Sequence, residues 1–205
     1  MLEAKLRNGL AGLNISLNDH QQQQLLDFLA LLERWNRRIN LTAVRKPSDM
    51  VTRHLLDSLS LMPYLQGARY IDVGTGGGLP GLPLAIANPS KHFTLLDSNG
   101  KKTRFLIHVK TQLKLDNVDV VQARVETYEA DPLFDAVLSR AFTSLDAMID
   151  QCEHLISECG ELLAMKAQQS QAELDALKKR VKDLAVIPLS VPYLEEKRCL
   201  VRLRL

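Results

Sequence analysis

The sequence predicts an α/β protein: a seven-stranded, mostly parallel sheet with an antiparallel last strand, preceded by a helical N-terminal appendage. Three observations carry this. From Ala68 onward, short apolar runs alternate with helical periodicities, the pattern of a sheet covered on both faces. The last two runs are separated only by residues 192–196, too few for a crossover helix, so they pair antiparallel. Ahead of Ala68 the apolar periodicity is helical throughout.

In chain order, Leu2, Leu6 and Leu10 fall at helical spacing over 2–13, with Gly9 and Gly12 weakening the end. A clearer helix follows. Ser16 or Asn18 can cap it, and Leu25, Phe28, Leu29, Leu32, Trp35 and Ile39 form one apolar stripe. Its other face carries Glu33, Arg34, Arg37 and Arg38, and Asn40-Leu41-Thr42 ends it. The glutamines at 21–24 read as solvated surface. Pro47-Ser48-Asp49 opens a further helix through Met50, Val51, Leu55, Leu59 and Leu61, stopping near Pro63. Residues 1–65 therefore form the appendage and 66–205 the sheet domain. Strands are expected at 69–73, 93–97, 118–122, 134–139, 160–166, 184–190 and 197–204. Helices are expected at 80–88, 100–114, 143–157 and 170–182.

Composition narrows the class. The 205 residues are 46% hydrophobic and 24% charged, ordinary for a folded soluble chain. There is no apolar run of about 18 residues to span a membrane. Met1-Leu2-Glu3-Ala4-Lys5 lacks the features of a secretory leader. Cys152, Cys159 and Cys199 are odd in number and form no metal-type pair, which predicts free thiols, no metal and a reducing, cytoplasmic setting. A monomer is expected. Net charge is only +2, so any nucleic-acid surface must be local.

The densest signal is Tyr70-Ile71-Asp72-Val73-Gly74-Thr75-Gly76-Gly77-Gly78-Leu79-Pro80-Gly81: a buried strand, a glycine loop, then a helix. Glycine permits positive φ and close approach of the backbone to a ligand, and such a loop lies at the carboxyl end of a Rossmann-like sheet. Gly76-x-Gly78-x-x-Gly81 matches the dinucleotide fingerprint but starts two residues late. Asp72-x-Gly74-x-Gly76-x-Gly78 aligns better and resembles the first motif of S-adenosylmethionine (AdoMet) methyltransferases. An acid at Asp72 suits a cationic ligand and would repel a pyrophosphate. The plain alternative is a tight strand-to-helix turn with no ligand.

Asp97 ends the second strand, 21 positions after Gly76, where an acid accepts hydrogen bonds from ribose hydroxyls; its alternative role is a helix cap before Ser98-Asn99-Gly100. Val125 and Glu126 follow the third strand, beside the adenine in this fold. Arg140 follows the fourth strand, at the position facing the transferred methyl group, in Ser139-Arg140-Ala141-Phe142; it could bind AdoMet, a phosphate or the base, its alternative being an ordinary surface arginine. No Asn-Pro stands there, since Asn88-Pro89 lies before the second strand, which disfavours methylation of an exocyclic amine. No cysteine stands at a strand end there to activate a pyrimidine C5. An acceptor that is already nucleophilic remains, and guanine N7 fits: it needs positioning rather than a base. Lys101, Lys102 and Arg104, with Arg37, Arg38, Arg45, Lys46 and Arg53, could line an RNA path or be a solvated face. His54 and Asp57 read as a polar pair joining appendage to core.

Trp35-Asn36 and Asn40-Leu41-Thr42, Arg53-His54-x-x-Asp57-Ser58, the 72–81 loop, Leu96-Asp97-Ser98 with Lys101, Ser139-Arg140-Ala141-Phe142 and Lys166 occur in order. Together they resemble the bacterial 16S ribosomal RNA guanine-N7 methyltransferase family, glucose-inhibited division protein B, over most of the chain. The resemblance implies AdoMet as cofactor and, as substrate, guanine 527 in the 530 loop of 16S RNA or of the small-subunit particle. It implies AdoMet contacts at Gly74, Leu79, Val125, Glu126 and Arg140, which join Gly76, Gly78 and Asp97 from the motifs. Gly77 departs from the family's usual proline or alanine. No catalytic residue is carried over. Other readings stay open: an AdoMet methyltransferase acting on another RNA, a nicotinamide-dependent oxidoreductase, or a non-catalytic RNA-binding module.

Overall fold

The computed structural model describes residues 1–140, 144–167 and 171–205; Ala141 and Phe142 of the expected acceptor motif lie outside them. The appendage begins with α1 (Leu2–Gly12) and α2 (Asp19–Asn36). Asn18 caps α2: its side chain accepts the Gln21 N–H while the Gln21 side chain accepts the Asn18 N–H, a reciprocal capping box. The helix ends at Asn36, before the expected Asn40-Leu41-Thr42. Buried Asn36 explains the early stop: its Oδ1 accepts the Leu41 and Thr42 N–H groups and its amide donates to the Thr42 carbonyl.

The third helical stretch is not uniform. α3 (Pro47–Met50) runs into a π-helix, Val51–Leu56, then α4 (Asp57–Leu59) and a 3-10 turn, Met62–Tyr64. π-turns inside helices often mark functional positions, and this one carries Arg53 and His54.

The sheet follows with β1 (Arg69–Val73), α5 (Gly81–Ala87), β2 (His92–Leu96), α6 (Gly100–Leu113), β3 (Val118–Val121) and β4 (Phe134–Ser139). Then come α7 (Leu145–Cys152), β5 (Ile156–Lys166), α8 (Gln171–Leu177), β6 (Asp183–Leu189) and β7 (Arg198–Arg204). Strand order is β3-β2-β1-β4-β5-β7-β6. β1 to β5 are parallel, and β7 inserts antiparallel between β5 and β6. The order reverses between β1 and β4, and ligands bind beyond the carboxyl ends of strands at such a switch point.

The strand alternation buries both faces. Tyr70, Phe93, Leu95, Leu138, Leu163 and Leu200 share one core with the appendage residues Leu6, Leu25, Phe28, Leu32 and Leu55. Ile71, Val73, Val137, Leu162 and Val201 pack against α7 and α8 through Leu145, Met148, Ile149 and Leu177. The glutamines at 21–24 are not simply solvated. Gln21 Nε2 donates to the Ile86 and Ala87 carbonyls, and Gln24 Nε2 to that of Leu113. Each closes a helix end with carbonyls that have no partner within their own helix, tying α2 to α5 and α6.

Candidate active site

The carboxyl ends of β1, β2 and β3 frame a cavity of about 350 Å³ lined by Val73, Gly74, Leu96, Asp97, Ser98, Lys102, Ala123, Arg124, Val125, Glu126 and Gln151. That volume suits a small-molecule ligand. Gly74, Gly76 and Gly78 all have positive φ (64°, 60° and 83°), which L side chains adopt at a cost.

Asp72 and Asp97 divide the work. Asp72 is turned away from the cavity and fully enclosed: its Oδ2 accepts the Thr75 hydroxyl at 2.6 Å and the Gly81 N–H at 2.8 Å. Burial lifts its pKa to about 7, against the lowering pull of those hydrogen bonds. It shapes the loop from below, which corrects the expectation that it meets a cationic ligand directly. Asp97 faces the cavity. Its Oδ2 accepts the Gly76 N–H at 2.9 Å, its Oδ1 accepts the Asn99 N–H at 2.9 Å, and Lys102 Nζ stands 3.6 Å away. Asn99, not Asp97, caps α6 with its side chain.

A second cavity, of about 360 Å³, lies farther along the same edge, beyond β4 and β5. Its wall includes Thr42, Arg53, His54, Asp57, Arg140, Lys166 and Arg198. Asp57, from the start of α4, reaches across to the sheet: Oδ2 lies 3.2 Å from Arg140 Nη1 and Oδ1 lies 3.3 Å from Arg198 Nε. Burial outweighs the two guanidiniums and raises the Asp57 pKa above its ordinary value. Arg140 Nη1 also donates to the Arg53 carbonyl, and Arg53 pairs with Glu196. His54 Nε2 is 2.9 Å from Thr42 Oγ1, and burial, then the Arg140 charge, pulls its pKa down to about 4. Asp57 thus joins appendage to sheet through Arg140 and Arg198, whereas the His54 bond to Thr42 stays within the appendage; the two do not act as a pair.

A model of one protein family, "rRNA small subunit methyltransferase G", matches residues 21–201. "Ribosomal RNA small subunit methyltransferase G" of Escherichia fergusonii is 51% identical over 197 residues, covering 96% of this chain and 95% of that protein. The protein of the same description from Saccharophagus degradans is 51% identical over 201 residues, covering 98% and 90%. The chain belongs to the rRNA small subunit methyltransferase G family. Solved structures support the fold alone. A putative O-methyltransferase from Klebsiella pneumoniae superposes with TM-score 0.59 at 12% identity, covering 87% of this chain and 90% of that one. Ribosomal protein L11 methylase from Lactobacillus delbrueckii subsp. bulgaricus gives 0.55 at 13%, covering 73% and 77%. The architecture is the Rossmann-like AdoMet-dependent methyltransferase fold.

For this family member, the residues singled out in the sequence separate into groups. Gly74, Asp97, Val125 and Glu126 line the first cavity, and Gly76 reaches it through its bond to Asp97. Gly78 and Leu79 do not line it; both are buried, and Leu79 belongs to the core shared with the appendage. Arg140 lines the second cavity instead. Arg38, Lys101 and Lys102 meet in a third, smaller cleft, with Lys102 also lining the first cavity. Arg37 is exposed and pairs with Glu33, and Arg104 is exposed.

Other lining residues escaped the sequence reading. Gln151 comes from α7 and Arg124 from the turn after β3, with no local motif to flag either. Arg198 was hidden in the last strand, and only the antiparallel insertion of β7 brings it to the site. That insertion also amends the reading of the cysteines. Cys199 pairs in register with Lys166, so one cysteine does reach this end of the sheet. Burial raises its thiol pKa, and it lies outside the lining of the second cavity.

Proposed function

We propose that the chain transfers a methyl group from AdoMet to N7 of a guanine in small-subunit ribosomal RNA, by family resemblance guanine 527 of 16S RNA. The observation that carries the cofactor half is the first cavity: a positive-φ glycine loop faces a nearly enclosed carboxylate, with Val125 and Glu126 opposite. That donor and acceptor set fits a nucleoside. The buried Asp97 carboxylate can accept both ribose hydroxyls, Leu96, Ala123 and Val125 offer apolar contact to the adenine, and Gly74 leaves room for the methionine part. Bound AdoMet supplies an electrophilic methyl carbon on a sulfonium.

The acceptor half rests on the second cavity and on the family. Guanine N7 has a free lone pair and no proton to lose, so the chain must orient the base and exclude water rather than remove a proton. The groups around the cavity suit that task. Asp57 is committed to two guanidiniums, His54 is held neutral above about pH 4, and Arg140, Arg198 and Lys166 favour the anionic strand that carries the base.

Isothermal titration with AdoMet and with NAD tests the cofactor; only AdoMet should bind. Mapping of 7-methylguanine in ribosomal RNA from a strain lacking the protein, with and without the restored chain, tests the acceptor. NAD binding, or methylation at any atom other than a guanine N7, overturns the proposal.

A further inference from the structure

Lys102 belongs to two sites at once. It lines the first cavity, and it lines a cleft of about 260 Å³ whose other walls are Arg38, Ile39, Asn40, Asn99 and Lys101. The chain assembles this cleft from two distant segments, the turn after α2 and the start of α6. Three cations meet there with no carboxylate in the lining, and among the described residues neither Arg38 nor Lys101 forms an ion pair. On the cavity side, Lys102 Nζ lies 3.6 Å from Asp97 Oδ2, the oxygen that also accepts the Gly76 N–H. The Asp97 side chain is only 7% exposed and that of Lys102 35%, so the lysine can swing and the carboxylate cannot.

We propose that the cleft holds a backbone phosphate of the RNA strand and that Lys102 couples this phosphate to the cofactor's ribose. The inference rests on the methyltransferase reading above and adds a link between its two ligands. With the cleft empty, the Lys102 ammonium leans on Asp97 and competes with the ribose hydroxyls for the same carboxylate. A phosphate beside Arg38 and Lys101 draws the ammonium outward and frees the carboxylate. Coupling between two sites is reciprocal, so a ribose seated on Asp97 releases Lys102 to the phosphate. RNA and cofactor therefore each tighten the other's binding, with no movement of the backbone.

The test measures the affinity of a labelled small-subunit RNA fragment with and without saturating S-adenosylhomocysteine, which presents the same ribose but has no methyl group to transfer. A partly exposed ion pair contributes little, so the parent should bind RNA about two- to fivefold tighter when the nucleoside is present. In Lys102→Met and in Lys102→Gln that ratio should fall to one, while S-adenosylhomocysteine still binds. Lys101→Met should weaken RNA binding yet keep the parent's ratio, which a general loss of positive charge would not do. A ratio of one in the parent, or an undiminished ratio in both Lys102 variants, overturns the coupling. Failure of the parent to bind S-adenosylhomocysteine overturns the methyltransferase reading itself, and the coupling with it.

Discussion

Gly76 and Asp97, 21 positions apart, are joined directly: the Gly76 N–H donates to Asp97 Oδ2 at 2.9 Å. The glycine loop after β1 is therefore pinned to the end of β2 by the carboxylate proposed to hold the ribose. Asp97→Ala removes an anchor and an acceptor together. AdoMet affinity should drop by about 1.5–3 kcal/mol, the range for hydrogen bonds to a charged group. Titration of a folded variant that binds as tightly as the parent would remove Asp97 from the site.

The loop glycines should fail in different ways. At Gly76 an added Cβ meets nothing nearer than the Gly74 carbonyl oxygen at 3.9 Å, so Gly76→Ala should cost only the left-handed backbone, about 1–2 kcal/mol. The branched side chain of Gly76→Val should then block the cofactor. At Gly78 the added Cβ falls 2.3 Å from Leu82 Cδ1 and 3.0 Å from Leu106 Cδ2. Gly78→Ala should be less stable than Gly76→Ala by about 1–3 kcal/mol of overpacking. Urea denaturation of the two alanine variants ranks them, and the reverse order would refute this assignment of roles.

Asp72 makes stability depend on pH. Its folded pKa, about 7, is raised above the ordinary 3.8. Between those values the unfolded chain ionises and the folded one resists, so the contribution of Asp72 falls as pH rises from about 4 to about 7 and then levels. Asp72→Asn keeps an acceptor for Thr75 and Gly81 without the charge, and should lack this fall. His54 acts with the opposite sign: depressed to about 4, it loses stability as pH falls from about 6.5. Subtracting the variant's melting profile from the parent's cancels the histidine. A flat difference between pH 4 and 7 would mean that Asp72 titrates normally.

The Asp57 clamp should be a weak point of the fold. Asp57→Ala leaves two partly buried guanidiniums without their carboxylate, and breaking a buried pair costs about 3–5 kcal/mol. Arg198→Gln removes only one cation. It should leave AdoMet binding intact and reduce the salt dependence of RNA affinity by about 0.7–0.9 for each phosphate that Arg198 neutralises. Binding measured across a salt series decides, and an unchanged slope would detach Arg198 from the RNA path.

No cysteine takes part in the proposed transfer, not even Cys199 at the cavity end of β7. A variant with Cys152, Cys159 and Cys199 changed to alanine should still methylate, with reduced stability because Cys152, the last residue of α7, is fully buried. Loss of all activity in a well-folded triple variant would point to a covalent mechanism.

Local chemistry was legible in the sequence, and long-range placement was not. Short apolar runs located all seven strands to within a few residues, for the buried β1, β2 and β4 and even for β6, most of which is partly exposed. The spacing from Gly76 to Asp97 was legible because one βαβ unit fixes it. The direction of a side chain within a motif was not. Asp72 and Asp97 both stand at the carboxyl ends of strands, yet one turns under the loop and the other into the cavity. Gly78 and Leu79 sit in the motif but serve the core. The amides of Gln21 and Gln24 looked like surface because their carbonyl partners lie 65 to 89 positions away. The Arg140–Asp57–Arg198 cluster joins three segments that share no local pattern.

β7 is an interior strand, although it comes after β6 in the chain. β6 has no other neighbour in the sheet, and β5 would be an open edge without it. The glycine loop and Asp97 belong to β1 and β2, near the start of the sheet domain, whereas the wall that carries Arg198 waits on β7, the last strand to be made. The two halves of the proposed site thus come from opposite ends of the sheet domain's sequence, and the half assigned to RNA is the one completed last.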